Sequence, residues 1–463
     1  MWGIILQDNK EIGLARQIFI SLKERMLTGQ IPQGEALPST RELAKGLGVS
    51  RNTVCEAYDM LWSEGFIISH QGAPSRVADG LRIQSTQQRE TAQNTDKISP
   101  AILWDFKTGQ PDLTLFPWQT WNKIISDTAR SLPARQLEYS GPKGYEPLCK
   151  EISHWLLRSR SMEVSPDDIL ITSGATQALH LLVEILHKEG HVFALENPSH
   201  PGIRTVISDK GYPLHWMPVD SNGADISTLH KRNISAVYVT PSHQFPLGGI
   251  LPANRRTALI RMAQEKDFYV IEDDYDSEFR YIGSPITPIY SINSSRVIYV
   301  GTFSKAVFPA LRLGFAVLPK SLHPKWRHYR NYMDVQNPIL EQAVLAEFLR
   351  SRKMDKHVQR MRHVYEEKRN ALLERVKMAF GDSVYPWGDA SGLHVALQFP
   401  GFEFGNKFIL SCKKAGIRVY TLSQYCVSRN EHKDKLLLGY GHLNSMQIQE
   451  GILALYQVIM NGE

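Results

Sequence analysis

Between residues 105 and 463, short apolar runs alternate with longer segments that have the period of an amphipathic helix, such as ATQALHLLVEILHKE at 175–189. Each run is apolar at almost every position, which is typical of a strand buried on both faces. The predicted strands are VFALENP (192–198), AVYVTP (236–241), FYVIEDD (268–274), VIYVGT (297–302) and GFAVLP (314–319). This alternation predicts an α/β domain with a mostly parallel sheet, in which ligands bind at the carboxyl ends of the strands.

The chain divides into a small head and a large body. Residues 81–104 are rich in Gln, Thr, Ser and Asn and show no apolar period, so they predict an interdomain linker. We therefore expect a head at residues 1–80 and a body at residues 105–463. A length of 463 residues is sufficient for two or three domains.

Composition and signal patterns exclude several classes of protein. No apolar run approaches the roughly 18 residues of a membrane span, and the N-terminus lacks the basic flank of a secretory signal. The four cysteines, Cys55, Cys149, Cys412 and Cys426, have neither a CxxC nor a metal-ligand spacing. We therefore expect no metal site and a reducing, cytoplasmic location. The net charge of +6 permits a polyanionic partner without arguing for one.

The head has the pattern of a helix-turn-helix followed by a two-stranded wing. A capping box from Ser39 to Glu42 opens one helix, and the turn GLGVS leads into the next helix after Ser50. The run FIISHQGAPSRVAD at 66–79 predicts two strands around a Gly-Ala-Pro turn. The buried faces of the first and third helices are predicted to be Ala15, Ile18, Leu22 and Met26, and Val54, Ala57, Tyr58 and Leu61.

The start of the third helix carries residue types that read DNA in the major groove. Arg51 can reach a guanine edge or a phosphate, and Asn52 can reach an adenine. The predicted DNA contacts are Ser39, Arg41, Ser50, Arg51, Asn52, Thr53 and Arg76. However, residues 1–80 contain 8 Lys and Arg against 9 Asp and Glu. Spacing alone therefore leaves open a small helical domain that binds no DNA.

The stretch GTFSKAVFPALRLGF at 301–315 places Lys305 and Arg312 close together among apolar residues. A lysine that forms Schiff bases needs a low-dielectric site and a second cation, which together lower its pKa, and we expect Arg312 to be that cation. The guanidinium fork also suits a phosphate dianion. Pyridoxal 5′-phosphate (PLP) carries both an aldehyde and a phosphate, so this pair predicts a PLP site with Lys305 as the catalytic Schiff-base residue.

Other polar residues that follow strands suit the same cofactor. Asp273 is expected to face the pyridine nitrogen, in preference to Asp274, and Tyr275 the phenolic oxygen. The turn into a helix at ITSGATQAL is expected to bind the phosphate. Each residue alone also fits a structural role, but their order along the chain favours one cofactor. The additional predicted contacts are Gly174, Ala175 and Thr176 for the phosphate, His200 stacked on the ring, and His243 on the O3′ side.

Both parts of the chain resemble known families. LPSTRELAKGLGVSRNTVCEAYDMLWSEGFI resembles the winged helix of GntR-type regulators, although its wing lacks the usual Gly-x-Gly. SGATQAL, ENPSHPG, TPSHQFPLGG, EDDYDSEF and FSKAVFPALRLG resemble fold-type I PLP-dependent aminotransferases, which have large and small subdomains. That resemblance implies that Thr302 and Arg312 bind phosphate and that Tyr139 reaches the phosphate of a partner subunit in a homodimer. The combined layout resembles the MocR/GabR-type subfamily of GntR regulators.

Two departures from the aminotransferase pattern bear on activity. The late stretch that holds a carboxylate-binding arginine in such enzymes reads LLLGY at 436–440, with Leu437 at the arginine position. Arg429 is a candidate replacement. His200 stands where the family more often has tyrosine. Since a bidentate carboxylate clamp fixes a substrate for proton transfer, we expect turnover of ordinary amino acids to be inefficient.

The resulting hypothesis is a PLP-dependent transcriptional regulator that binds double-stranded DNA with two half-sites as a homodimer. It senses an amine or amino-acid effector through aldimine chemistry at Lys305. Two alternatives remain open at this point. One is an active aminotransferase with a fused DNA-binding head, and the other is a plain dimeric repressor whose body has lost PLP.

Overall fold

The computed structural model describes residues 4–7, 12–70, 73–81 and 101–461. The chain forms two compact units, Met1–Ile98 and Ser99–Glu463. Most of the predicted linker, residues 82–100, lies outside the described residues. Trp104, the last residue of that predicted linker, already belongs to a strand of the second unit.

The first unit is a three-helix domain with a two-stranded wing. Its elements are α1 (Leu14–Leu27), α2 (Thr40–Leu47), α3 (Arg51–Ser63), β1 (Ile67–Ile68) and β2 (Arg76–Val77). The predicted buried faces of α1 and α3 are confirmed at all eight positions, Ala15, Ile18, Leu22, Met26, Val54, Ala57, Tyr58 and Leu61. The wing strands pair antiparallel, with Ile67 opposite Val77.

Side-chain caps set the geometry of the turn between α2 and α3. The Ser39 hydroxyl accepts a hydrogen bond from the Glu42 amide at 3.3 Å, and the Glu42 carboxylate accepts one from the Ser39 amide at 2.9 Å. This confirms the predicted capping box. Gly48 has φ 67°, a conformation that favours glycine, and Ser50 then caps α3 by accepting from the Thr53 amide at 3.1 Å.

The second unit is built around a large sheet. Its strands are β3 (Trp104–Asp105), β4 (Ile169–Thr172), β5 (Val192–Asn197), β6 (Leu214–Asp220), β7 (Gly223–Ala224), β8 (Ile234–Val239), β9 (Tyr269–Asp274), β10 (Val297–Thr302), β11 (Gly314–Val317), β12 (Tyr385–Trp387), β13 (His394–Gln398), β14 (Ile417–Arg418), β15 (Tyr420–Thr421) and β16 (Lys435–Gly439). Eight of them form the large sheet in the order β4-β11-β10-β9-β8-β5-β6-β7. Within it, β11 and β7 run antiparallel to their neighbours. The mostly parallel α/β fold is therefore confirmed.

Helices cover both faces of this sheet, because alternate residues of β4 enter two separate apolar clusters, Ile169 and Ile171 in one and Leu170 in the other. The helices of the unit are α4 (Trp118–Ser131), α5 (Glu146–Arg160), α6 (Gly174–Leu186), α7 (Pro201–Asp209), α8 (Ala253–Glu265), α9 (Ile289–Ile292), α10 (His323–Met333), α11 (Ile339–Arg350), α12 (Lys353–Phe380), α13 (Asn406–Lys414) and α14 (Ser445–Met460).

A small subdomain follows the long helix α12. Its core is a four-stranded antiparallel sheet in the order β12-β13-β16-β15. Across the described ranges of both units, no helix is long and apolar enough to cross a bilayer. The same ranges contain no group of three or more His, Cys, Asp or Glu placed to hold a metal ion.

Candidate functional site

The carboxyl ends of β8, β9 and β10 border a cavity of about 370 Å³. Strands buried on both faces place their last polar residues at this common edge, as parallel sheets do. The predicted cofactor residues that line the cavity are Lys305, Asp273, Tyr275, Arg312, Thr302, Ala175, Thr176 and His200. Among these predicted residues, Ala175 and Arg312 lie 137 positions apart in the chain and yet line the same cavity.

Lys305 lies in the turn after β10, and its Nζ donates a hydrogen bond to the Gly109 carbonyl at 2.5 Å. Burial lowers the pKa of Lys305, repulsion from Lys107 lowers it further, and nearby carboxylates oppose both effects. Lys107, and not Arg312, is therefore the cation that acts on this amine, which corrects the expectation for Arg312. A lysine with a lowered pKa exposes more of the nucleophilic free amine near neutral pH.

Arg312 instead helps to form an anion cradle at the start of α6. Its Nη2 donates to the Ser173 carbonyl at 2.7 Å. Gly174 has φ 76°, and a Cβ there would lie 3.1 Å from Nη2, so a side chain would fill the cradle. Ala175 and Thr176 line the cavity from the first turn of the same helix. A guanidinium beside a helix N-terminus is suited to a phosphate.

Thr302 and Ser304 complete the cradle from the end of β10. The Thr302 hydroxyl lies 3.0 Å from the Ser304 hydroxyl and accepts a hydrogen bond from the Ser304 amide at 3.2 Å. Both residues line the cavity. The two hydroxyl groups therefore lie near Lys305, at the carboxyl end of β10.

Asp273 ends the buried strand β9, and one of its oxygens has no partner. Tyr238 Oη donates to Oδ2 at 2.7 Å, whereas the buried Oδ1 has no hydrogen-bond partner among the described atoms. Burial raises the pKa of Asp273 to about 6, and the Tyr238 hydrogen bond opposes this. Asp274 is engaged elsewhere, since Arg160 Nε donates to it at 3.1 Å. Asp273 therefore has a free acceptor oxygen for a cationic N–H, such as a pyridinium.

The residues around Tyr275 form a buried hydrogen-bonded group. His243 Nδ1 lies 3.0 Å from the Tyr275 hydroxyl and 2.9 Å from Asp276 Oδ1. Tyr275 lines the cavity, whereas His243 does not. The structure thus places His243 behind Tyr275, where it can orient the hydroxyl, and its predicted position on the O3′ side of the cofactor stays a prediction.

His200 lies at the N-terminus of α7, where its Nδ1 accepts a hydrogen bond from the Gly202 amide at 3.1 Å. The residue is exposed, but partial desolvation lowers the pKa of its ring to about 4, with a contribution from the charge of Lys305, so the ring is neutral near pH 7. It lines the cavity as predicted. A neutral, flat ring at this position is compatible with stacking on a heteroaromatic ligand.

Three residues named in the sequence analysis lie away from this cavity. Tyr139 is 87% exposed, on a loop held through Ser140, whose amide donates to Gln336 at 2.6 Å. Its role toward a partner subunit stays a prediction. Leu437 is fully buried in β16, opposite Ala396 of β13. Arg429 lines a different cavity, together with Asn406 and Lys433 among others, so it does not replace an arginine at Leu437 within the first cavity.

The sequence analysis missed several lining residues. They are Thr108, Gly109, Tyr238, Thr240, Phe245, Ser304, His394 and Tyr425, among others. Tyr238 had a usable signal, since it is a hydroxyl-bearing residue inside an otherwise apolar strand. Gly109 had none, because it meets Lys305 across 196 positions of the chain.

In the head, Arg51 and Asn52 are exposed at the first turn of α3, and Arg41 is exposed at the first turn of α2. Arg51 Nε donates to Thr40 Oγ1 at 3.3 Å, so the N-termini of the two helices lie side by side. Ser39 is engaged in its cap, Ser50 and Thr53 share a hydrogen bond of 2.8 Å, and Arg76 Nη1 donates to the Gly34 carbonyl at 2.8 Å. Two arginines beside two positive helix ends are suited to a phosphodiester backbone.

Comparison with family models separates the same two parts of the chain. Residues 14–77 match the gntR family of bacterial regulatory proteins, and residues 104–400 match the class I and II aminotransferases. The second match covers most of the second unit, including Lys305, Asp273 and Arg312.

Solved structures similar to the body include several aminotransferases. The α-aminoadipate aminotransferase LysN of Thermus thermophilus, solved with N-(5′-phosphopyridoxyl)-L-leucine, has a TM-score of 0.71 at 26% identity, over 78% of this chain and 92% of that chain. An archaeal alanine:glyoxylate aminotransferase has a TM-score of 0.73 at 25% identity, over 79% of this chain and 92% of that chain. The aminotransferase fold of the body is therefore shown.

Curated relatives match nearly the whole chain. The HTH-type transcriptional regulator YdeL of Bacillus subtilis is 32% identical, with 97% of each chain covered. The probable rhizopine catabolism regulatory protein MocR of Rhizobium meliloti is 28% identical over 98% of this chain and 95% of its own. The pyridoxine biosynthesis regulator PdxR of Corynebacterium glutamicum is 28% identical over 91% of each. This chain therefore belongs to the MocR/GabR-type subfamily of GntR regulators and is a helix-turn-helix transcriptional regulator with an aminotransferase-like body.

Proposed function

We propose that the body binds PLP at Lys305 and that PLP, or an amine effector reacting with it, controls how the head binds DNA. The observation that supports this most directly is the convergence of three features in one cavity. These are the partly buried amine of Lys305, Oδ1 of Asp273, which has no hydrogen-bond partner among the described atoms, and the cradle formed by Arg312 and Gly174. They match, in order, the aldehyde, the pyridine nitrogen and the phosphate of the cofactor.

Each residue has a distinct task in this proposal. When bound, PLP supplies an aldehyde that condenses with primary amines and a ring that withdraws electrons. Lys305 holds the aldehyde carbon, and its lowered pKa favours the free amine. Asp273 Oδ1 keeps the proton on the pyridine nitrogen, with Tyr238 fixing the other oxygen at 2.7 Å. Arg312, Thr302 and Ser304 bind the phosphate.

Tyr275 and His200 position the ring. The hydroxyl of Tyr275, oriented by His243, donates toward the phenolic oxygen, and the neutral ring of His200 stacks on one face. Tyr139 reaches toward the phosphate in a partner subunit, which would make the regulator a homodimer. Two heads would then contact two half-sites of one operator in the cytoplasm. An effector that binds one state of the body more tightly shifts the affinity of the pair for DNA.

The test uses the full-length protein and the variants Lys305→Ala and Lys407→Ala. Lys407 is an exposed residue of α13 and serves as the matched control. We expect the wild type and Lys407→Ala to bind added PLP with visible absorbance, and borohydride to fix the cofactor on Lys305. We expect Lys305→Ala to retain DNA affinity but to lose the response of that affinity to PLP and amines. An unchanged response in Lys305→Ala would reject the mechanism.

The same wild-type protein and variants also distinguish the two alternative functions, an active aminotransferase and a plain repressor. Steady formation of 2-oxo acid and amino acid products from added substrates would favour an active aminotransferase. A colourless protein that binds DNA but does not bind added PLP would instead favour the plain repressor.

A further inference from the structure

The lining of the cavity offers no spare positive charge to an effector. Of the described lining residues, Lys305 and Arg312 are the basic side chains other than histidine, and the proposed PLP uses both. Of the two lining histidines, His394 is buried and His200 is exposed. Desolvation nevertheless lowers the pKa of His200 to about 4 and that of His394 well below its usual value. Both rings are therefore neutral near pH 7. Lys107 is exposed and does not belong to the lining.

One wall of the cavity is backed by an apolar cluster. Phe245 and the partly buried Tyr275 and Tyr425 line the cavity and pack on this cluster. The other buried members behind them are Leu247, Ala396, Leu422, Cys426 and Leu437. Leu437 is fully buried there, with its backbone in the small antiparallel sheet. The aromatic side chains of this wall are therefore backed by buried apolar side chains.

We propose that the effector is a primary amine without a carboxylate, whose apolar or aromatic substituent packs against the wall formed by Phe245 and Tyr425. The reasoning follows from charge and burial. A carboxylate placed in this cavity would lose water and find no unused cation among the described lining residues, which is unfavourable. An apolar substituent would instead gain from contact with the aromatic side chains. This inference rests on the proposed function, because PLP supplies the group that reacts with the amine.

The experiment compares an amine with its own α-carboxylate. Full-length protein saturated with PLP is titrated with phenethylamine, L-phenylalanine and D-phenylalanine, and separately with isoamylamine and L-leucine. Absorbance of the bound cofactor and fluorescence anisotropy of an operator duplex are both recorded. We expect each amine to act at a concentration about 10-fold or more below its amino acid, as an unpaired buried carboxylate requires. Equal or tighter binding of the amino acids would overturn the inference, and so would the absence of any response to the amines.

A variant tests the role of the apolar cluster. Leu437→Arg supplies a guanidinium in the cluster behind the wall, and Leu437→Met is the control that keeps an apolar side chain of similar volume. We expect Leu437→Arg to narrow or reverse the preference for amines, and Leu437→Met to retain it. A preference for amines that persists in a folded, PLP-loaded Leu437→Arg protein would show that the cluster does not set the selectivity. If Leu437→Arg does not fold, the paired titrations of the wild type decide alone.

The two proposals fail in different ways. Failure of the protein to bind PLP, measured before any amine is added, would reject the proposed function. Normal PLP binding together with a preference for carboxylates would reject this inference and leave the proposed function intact.

Discussion

Replacement of Asp273 by asparagine should weaken PLP binding and at the same time stabilise the protein without PLP. The side chain is buried, Tyr238 Oη donates to one of its oxygens at 2.7 Å, and the other oxygen has no partner among the described atoms. A buried carboxylate with a free oxygen is costly unless a cation faces it. Asn has nearly the same shape and can still accept the Tyr238 hydrogen bond, so the substitution removes mainly the charge.

The magnitudes follow from the pKa of Asp273 and from the lost ionic contact. Burial raises that pKa from 3.8 to about 6. An acid whose pKa is higher in the folded state destabilises the protein progressively as pH rises from about 4 to about 6, and the full penalty of about 3 kcal/mol applies above that range. With PLP bound, a charge-assisted hydrogen bond is worth about 1.5–3 kcal/mol, so its loss should raise the Kd for PLP about 10- to 150-fold.

The assay measures both quantities on the same two proteins. Urea unfolding of the PLP-free wild type and of Asp273→Asn at pH 7 should show the variant to be more stable, by up to about 3 kcal/mol, and the difference should vanish near pH 4. Absorbance titration with PLP at pH 7 should show the weaker binding. Equal PLP affinity combined with a less stable variant would refute the reasoning, because Asp273 would then be a structural residue.

Replacement of Tyr238 by phenylalanine tests the same site, with a smaller expected effect on PLP binding than Asp273→Asn. The hydrogen bond from Tyr238 lowers the pKa of Asp273, so its loss should raise that pKa further. PLP binding requires the ionised carboxylate, and its pH dependence should therefore move to higher pH in the variant. The Kd at pH 7 should increase by less than in Asp273→Asn. An unchanged pH profile would show that Tyr238 does not act through Asp273.

Three further changes test the cradle and the head. Gly174→Ala places a Cβ 3.1 Å from Arg312 Nη2, on a residue with φ 76°. Absorbance titration should show the Kd for PLP to be about 10-fold higher, and an unchanged affinity would exclude a phosphate at this position. Arg51→Ala should cost roughly 1–3 kcal/mol of operator binding and relax one base position in anisotropy measurements, whereas a uniform loss on all sequences would indicate a phosphate contact. Ser39→Ala removes the cap of α2 and should destabilise the first unit by about 1 kcal/mol in urea unfolding of the full chain, with Ser39→Asp retaining most of the stability.

The sequence by itself predicted the helices and wing of the head, five strands of the large sheet, the division into two units and most of the residues at the ends of those strands. The runs 234–239 and 297–302 are buried along their whole length, so a short, nearly continuous apolar run indicates a strand buried on both faces of the sheet. The capping box at Ser39 and the buried face of α3 were equally readable. These features depend on neighbours within a few positions in the chain, and such short-range constraints leave a pattern in the sequence.

The tertiary structure alone decided which groups meet in the cavity. Tyr238 donates a hydrogen bond to Asp273, and the Lys305 amine donates one to the Gly109 carbonyl. Arg312 donates to the Ser173 carbonyl at the start of α6 and does not lie beside the lysine amine. The tertiary structure also showed that Leu437 backs an apolar wall and that Arg429 lines another cavity. The pKa of a buried group depends on its distance to charges from remote segments of the chain. Packing sets those distances, and the pattern of residues along the sequence does not reveal them.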